Sequence, residues 1–541
     1  MNNMVIDNFY NSIDKNNFYL GRISQVFRGN SVIQVENLSL LSHRKIKNES
    51  LIPNTINYFV VIDSTQGLFL GEVFQSKISN TVNMHDSINE GKPESVYPEI
   101  CVDIIGLMKY GDSIFRLPEF LTVGITDKTY IANEVIIQKY MQSIEIRKND
   151  DDSLPPFATF LNLRDQTVAL KANTIFDRHL MAVGTTNSGK STSALSILDK
   201  LIKSQKKLLI IDPTGEYDEA FNDQEVKKLN LGLDTILSVG EISMQQWSIL
   251  FETNGNTQSA VLSEAIRSLR YKKKIGDDTI YKKDGENIQC VQQNLSTIRA
   301  QDKAFDISLL PEQIAAESVV ESSNRATQGQ YVYDTFRANT NSYLVQKVNY
   351  QLANTSFLDF FSGVPGALNL LTEIDAFLTT PTSSLYINTS QIGTGDGIGG
   401  MIVDLISNYV INQKDNLPFV MFIDEVHRYT RSPYVETEYH SGLTMVAREG
   451  RKKGIFLFLT TQNPQDVSPV LLGQVGTLII HRLTHNDELK TIQNHLDEHA
   501  IKQVKKLNQG ESILTSINLL QNLYIHVNKC SRKHKNETPR L

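Results

Sequence analysis

Through the first 165 residues, apolar and polar positions alternate in short runs separated by turn residues. Phe18–Val26 and Ser31–Val35 flank a Gly29-Asn30 turn, and Tyr58–Asp63 and Leu68–Val73 flank Ser64-Thr-Gln-Gly67. A period of two between turn residues predicts hairpins, and several such strands in succession predict a small β-barrel over residues 1–165. The charged, proline-punctuated run Lys148–Pro156 reads as the linker leaving it. The pattern then changes. Nearly all-apolar runs at Leu180–Val183, Lys207–Ile211, Ser384–Asn388, Phe419–Ile423, Ile455–Leu459 and Thr477–Leu483 alternate with amphipathic segments. Strands apolar on both faces predict the parallel sheet of a doubly wound α/β domain, assigned to 166–242 and 376–527. Residues 243–375, with helical spacing at Ser259–Arg270 and Tyr343–Leu352, read as a helical insertion. Residues 528–541 read as a polar, basic C-terminal tail.

Length agrees with this division. The chain has 541 residues, room for three or four domains at about 100–200 residues each. Charge narrows the function classes. Lys+Arg is 53 and Asp+Glu is 60, a formal net charge of −7, with 40% hydrophobic and 21% charged residues. This composition excludes a disordered chain and a protein that coats nucleic acid with a globally basic surface. It leaves room for a local basic channel. The three cysteines, Cys101, Cys290 and Cys530, are far apart and form no disulfide or CxxC framework. There is no signal-peptide pattern at Met1–Tyr10 and no apolar run of about 20 residues. The expectation is a cytoplasmic, non-membrane protein.

The chemistry begins at Gly184-Thr185-Thr186-Asn187-Ser188-Gly189-Lys190-Ser191, followed by Thr192. A G-x-x-x-x-G-K-S run between a buried strand and a helix is a phosphate loop. Its glycines let backbone N–H groups face a polyphosphate, and the helix N-terminus adds a favourable dipole. Lys190 is expected on the β- and γ-phosphates of ATP, and the Ser191 hydroxyl on Mg²⁺.

Further downstream, the apolar run Phe419–Ile423 delivers Asp424-Glu425. Carboxylates at the C-terminal end of a parallel strand sit where α/β ligands bind. Asp424 is expected to support Mg²⁺ and Glu425 to activate water. Gln462, at the end of Ile455–Leu459, stands where a γ-phosphate sensor would; a turn formed by Asn463-Pro464 explains its neighbours but not Gln462 itself. Arg448 and Arg451 admit two readings: a basic helix end matched to the dipole, or an arginine reaching a neighbour's nucleotide. The lysines at 272–274 and 282–283 read as solvated loop charge rather than DNA contacts. Gly393–Gly400 reads as a strand-to-helix loop before Ile402–Tyr409.

Together these motifs resemble the HerA branch of the HerA–FtsK family of P-loop ATPases. Besides the phosphate loop, the likeness rests on Asp177-Arg-His179, Ile211-Asp-Pro-Thr-Gly-Glu-Tyr217, Asp424-Glu-Val-His427, Arg448-Glu-Gly-Arg-Lys-Lys-Gly454, Thr461-Gln-Asn-Pro464 and Gly510-Glu511. Val426 departs from the small residue usual after Asp-Glu. The resemblance implies a RecA-like core with an N-terminal HAS-like barrel, in a homo-hexameric ring that threads double-stranded DNA. It implies that Gln462 senses the γ-phosphate and that the trans-acting arginine falls in Arg448–Arg451, with Arg451 favoured. Asp212 and Glu216 are placed beside the same site. It also implies a separate effector chain, either a nuclease such as NurA or a sirtuin-type NADase, in DNA end processing or anti-phage defence. An ATP-gated scaffold that regulates such an effector is the alternative.

Overall fold

The computed structural model describes residues 5–533 apart from 11, 42–44, 47–48, 51–55, 80, 93–94, 147–152, 162–165, 255–256, 364–365, 393–395, 415, 431–441 and 497. Part of the expected linker (148–152), Gly393–Gly395 and residues 534–541 of the expected tail lie outside the described residues. The chain forms two compact units: Met1–Asp152 with Thr159–Thr174 and Leu514–Ile525, and Ser153–Ala158 with Ile175–Ile513 and His526–Leu541.

The first unit contains a closed antiparallel barrel. Its strands are β1 (Tyr19–Val26), β2 (Asn30–Val35), β3 (Phe59–Ser64), β4 (Gly67–Lys77), β5 (Glu99–Lys109) and β6 (Lys128–Ile131), in the order β1-β2-β5-β4-β3-β6. Both hairpins read from the alternation are present, the second closing with Ser64 opposite Gly67. Register shifts at Ile23/Gln25 and at Leu70/Gly71 bend the strands enough for closure. Leu20, Val35, Val60, Ile62, Leu70 and Val73 are fully buried. Gly21 is required where strands crowd, since a Cβ there would lie 2.0 Å from Gln34 O.

The second unit is built on a RecA-like parallel sheet. β7 (Leu180–Val183), β8 (Lys207–Asp212), β9 (Val226–Asn230), β10 (Ser384–Asn388), β11 (Phe419–Ile423), β12 (Ile455–Thr461) and β13 (Thr477–Ile480) stand in the order β13-β7-β12-β11-β8-β10-β9. Every one of these pairings is parallel. All six apolar runs read from the sequence are strands of this sheet. β9 escaped that reading because Val226-Lys-Lys-Leu-Asn230 is half polar, as suits the outer strand of a sheet. Asp396–Asn412 is one helix, so the glycine run closes into helix from Asp396 rather than remaining loop. Gly399 allows this, since a Cβ there would lie 2.6 Å from the Tyr429 ring.

Between β9 and β10 the chain is mostly helical, including Met244–Leu250, Thr257–Lys274, Leu310–Ala316, Thr335–Leu352 and Leu370–Thr379. Trp247 is fully buried and stacks on Phe251 with ring centroids 5.7 Å apart. The lysine reading needs two corrections. Lys272–Lys274 form the last turn of the helix Thr257–Lys274 rather than a loop. Lys283 is buried, and its Nζ pairs with Glu317 at 2.5 Å, whose other oxygen accepts from Ser268 and Gln313. A buried ammonium persists because that carboxylate neutralises it. Lys273 and Lys274 remain on the surface, paired with Asp278 and Asp302. Arg532 is no solvated tail charge either. It donates to Asp199 at 2.8 Å and to both carboxylate oxygens of Glu225 at 2.8 and 3.0 Å. The three cysteines are free. Among the described residues, no helix is long and apolar enough to cross a membrane.

Candidate nucleotide-binding site

The C-terminal ends of three neighbouring strands bring the sequence-predicted residues together. β7 pairs with β12 so that Val183 lies opposite Thr461, and β12 pairs with β11 so that Ile423 lies opposite Leu459. The phosphate loop leaving β7 therefore faces Asp424-Glu425 leaving β11 and Gln462 leaving β12. The loop curls through left-handed backbone at Asn187 (φ +63°) and Gly189 (φ +107°). Asn tolerates that region and Gly is strain-free in it. The following helix, Lys190–Lys203, buries Leu195, Leu198 and Leu201, which anchors the loop to the core. Gly184 permits close packing, because a Cβ there would lie 2.5 Å from Ser188 Oγ and 2.6 Å from His481 Cβ.

A hydrogen-bond network joins the strand ends. Lys190 Nζ donates to Glu425 Oε1, with side-chain exposures of 5% and 12%. Gln462 donates to the same carboxylate twice, from Nε2 at 2.8 Å and from its backbone N–H at 3.1 Å. His427 Nδ1 lies 3.2 Å from Glu425 Oε2. Thr186 Oγ1 donates to Gln462 Oε1 at 2.8 Å, so the sensor position also touches the phosphate loop. Thr460 donates its hydroxyl to Asp424 Oδ1 and accepts the Glu425 N–H at 2.9 Å. That bond holds Glu425 at φ +48°, a strained conformation for a residue with a side chain.

The four acids of the site differ sharply in their environments. Burial pushes the Asp424 carboxyl up to about 6, against the pull of Lys190. Burial acts the same way on Glu425, yet His427, Lys190 and Gln462 outweigh it and hold that carboxyl down to about 2. Glu216 is raised to about 7, first by burial and then by Asp424, Asp212 and Glu425. Asp212 is fully buried and committed to its own loop. It accepts from the N–H groups of Thr214, Gly215 and Tyr217 and from the Tyr386 hydroxyl at 2.8 to 3.0 Å. It therefore shapes the turn that presents Glu216.

Ser191 in the first turn of the helix and Asp424 on the adjoining strand offer one hydroxyl and one carboxylate. Mg²⁺ held mainly by phosphate oxygens and water needs no more. Among the described residues, no group of three or more His, Cys, Asp or Glu could hold a metal by itself. The arginines lie elsewhere. Arg448 ends the helix Gly442–Glu449, and Arg451 is in the turn Gly450–Lys453 that precedes β12. Both are exposed, and Arg451 Nη1 is 4.0 Å from Asp177. The seven residues of β12 separate that turn from the site by about 20 Å. Sequence reasoning did not single out Thr460. Its only signal is its alignment with Asp424 across two paired strands.

A family model described as the central domain of helicase HerA matches residues 158–354. A probable DNA double-strand break repair helicase HerA of Methanocaldococcus jannaschii is 23% identical over 76% of this chain and 85% of its own length. The DNA double-strand break repair helicase HerA of Saccharolobus solfataricus is 23% identical over 65% of each chain. Another probable helicase of M. jannaschii is 23% identical, and the match spans 62% of that protein, under two thirds of its length. Among solved structures, VirB4 of Thermoanaerobacter pseudethanolicus aligns with a TM-score of 0.46 at 14% identity, covering 72% of this chain and 99% of that one. The family match takes in the phosphate loop, and the relatives extend beyond it to most of the chain: by both comparisons this chain is similar to HerA-type helicases and carries their phosphate loop.

Proposed function

We propose that this chain hydrolyses ATP with Mg²⁺ and uses the cycle to move double-stranded DNA, as one subunit of a cytoplasmic homo-hexameric ring. The observation that carries the reading is the single network joining Thr186, Lys190, Glu425 and Gln462 at the strand ends. It links the groups needed to hold phosphate, polarise water and sense the γ-phosphate. The relatives named as DNA double-strand break repair helicases support DNA as the substrate.

In this reading, the N–H groups of Gly184–Thr192 cradle the phosphates, Lys190 reaches the β- and γ-oxygens, and Ser191 and Asp424 hold the metal. Mg²⁺ bound there neutralises phosphate charge. Glu425, an anion across the physiological range, orients and polarises the attacking water. Gln462, hydrogen-bonded to both Glu425 and Thr186, reports γ-phosphate occupancy to the catalytic carboxylate. Arg451, exposed at the opposite end of β12 from the site, serves the nucleotide of a neighbouring subunit, with Arg448 beside it. The barrel docks a separate effector, a NurA-like or other nuclease or a sirtuin-type NADase, in DNA end processing or anti-phage defence.

The test is hydrolysis by the purified chain with and without duplex DNA. Duplex DNA is expected to raise the rate, and Lys190→Ala to abolish it. Hydrolysis that ignores DNA but rises with an effector would replace the motor with an ATP-gated scaffold. Normal hydrolysis by Lys190→Ala would remove the site assignment.

A further inference from the structure

The Gly510-Glu511 pair has no role in the reading above, yet the segment around it grips the phosphate loop at two points and a side chain packed under that loop at a third. Gln509 Nε2 donates to Asn187 Oδ1 at 2.8 Å. The Gly510 N–H donates to Ser188 O at 2.9 Å. Glu511 O lies 3.0 Å from Nδ1 of His481, a fully buried side chain packed under Gly184 and Gly189. The two backbones touch. A Cβ on Gly189 would lie 2.8 Å from Gly510 N and 2.9 Å from Gly510 Cα. Gly510 is itself fixed from behind. Its carbonyl accepts the Val527 N–H at 3.0 Å, its φ is +83°, and a Cβ there would lie 2.8 Å from His526 Cε1.

We infer that Gln509 and Gly510 are positioning residues that hold the phosphate loop in its anion-binding curl, an inference that rests on the nucleotide-binding reading of that loop. A loop whose N–H groups must converge on one anion needs left-handed backbone at defined places. Here those places are Asn187 and Gly189. Gly189 adopts its φ freely. Asn187 does not, and its side chain is the one Gln509 holds. Gly189 thus has a second use besides phosphate approach: it lets Gly510 come within backbone contact and cap Ser188 O. Glu511 adds rigidity by accepting the Asn508 N–H at 2.7 Å, which fixes the turn that presents Gln509.

The test is a four-protein cycle of wild type, Gln509→Ala, Asn187→Gly and the double variant. Each is titrated as the full chain with a fluorescent ADP analogue and Mg²⁺, and assayed for single-turnover hydrolysis at saturating ATP. Gln509→Ala is expected to raise Kd about fivefold, the equivalent of about 1 kcal/mol, as for one neutral hydrogen bond. Turnover at saturation is expected within about twofold of wild type. In the Asn187→Gly background, glycine adopts the curl unaided, so Gln509→Ala is expected to change Kd less than about 1.5-fold. Unchanged Kd for Gln509→Ala, or an equal loss in both backgrounds, overturns the inference. Failure of wild type itself to bind the analogue overturns the nucleotide reading instead, a result the cycle registers separately.

Discussion

Replacing Glu425 with glutamine should move binding and hydrolysis in opposite directions. The substitution keeps the size of the side chain and removes its charge. In the structure that carboxylate accepts from Lys190 Nζ and twice from Gln462, and His427 lies 3.2 Å away. A phosphate that is to gain Lys190 must first take it from Glu425. Two unit charges 4 Å apart attract by about 4 kcal/mol at an effective dielectric of 20, and much of this is offset by their loss of hydration. A charge-assisted hydrogen bond retains about 1.5–3 kcal/mol net. Releasing the lower figure to the nucleotide tightens Kd about tenfold. Hydrolysis should fall at least about 100-fold, the scale on which a positioned proton acceptor acts.

Equilibrium titration with a fluorescent ATP analogue measures the first effect, and single-turnover phosphate release the second. The combination is diagnostic, because general damage to the site would weaken binding and slow hydrolysis together. Hydrolysis within about threefold of wild type would reject Glu425 as the water-activating group. Unchanged or weaker binding would reject the competition between Glu425 and phosphate for Lys190.

Other consequences follow from the same contacts. Thr460→Val removes the hydroxyl that serves both Asp424 and the Glu425 N–H, and should slow single-turnover hydrolysis about tenfold or more, the scale of one lost catalytic contact. Under the ring assembly proposed above, mixing wild-type with Arg451→Ala subunits should lower steady-state activity faster than the fraction of variant; a linear fall would reject action in trans. Lys283→Met leaves Glu317 buried and unpaired, and should cost about 3–5 kcal/mol by urea denaturation, whereas changing exposed Lys282 should cost under about 0.5. Arg532→Ala should lower the urea midpoint at pH 7. Burial raises the Asp199 carboxyl, but Lys203 and Arg532 outweigh it and hold it below its ordinary 3.8. That contribution is therefore complete above 3.8 and lost as pH falls through the native value, so the two midpoints should converge in acid.

Legibility of the sequence tracked burial and contiguity. The central strands stood out because Leu180–Val183 and Phe419–Ile423 are buried on both faces, which leaves no polar position to blur the run. β9 has only an apolar residue at each end of its Lys227-Lys228 pair to signal it, and its partner β10 is 384 − 226 = 158 residues away at the first paired position. Lys283 misled for a related reason. A lysine beside a lysine reads as solvated, and only the approach of Glu317, from the end of the helix Leu310–Ala316, reverses that. In the site, Gly184–Ser191 and Asp424-Glu425 were visible because each motif is contiguous and its geometry is local. Thr460 was not, because a threonine ending a strand is ordinary until β11 and β12 pair in register and set it beside Asp424. Gly510 sits between these cases. Its motif could be seen, but its use depends on Gly189, 510 − 189 = 321 residues earlier, lacking a side chain at the point of contact. What local sequence supplies here is the chemistry of each group. The register of three parallel strands makes those groups one site: Val183 lies opposite Thr461, and Ile423 opposite Leu459, so Asp424-Glu425 leave β11 beside the last two residues of β12.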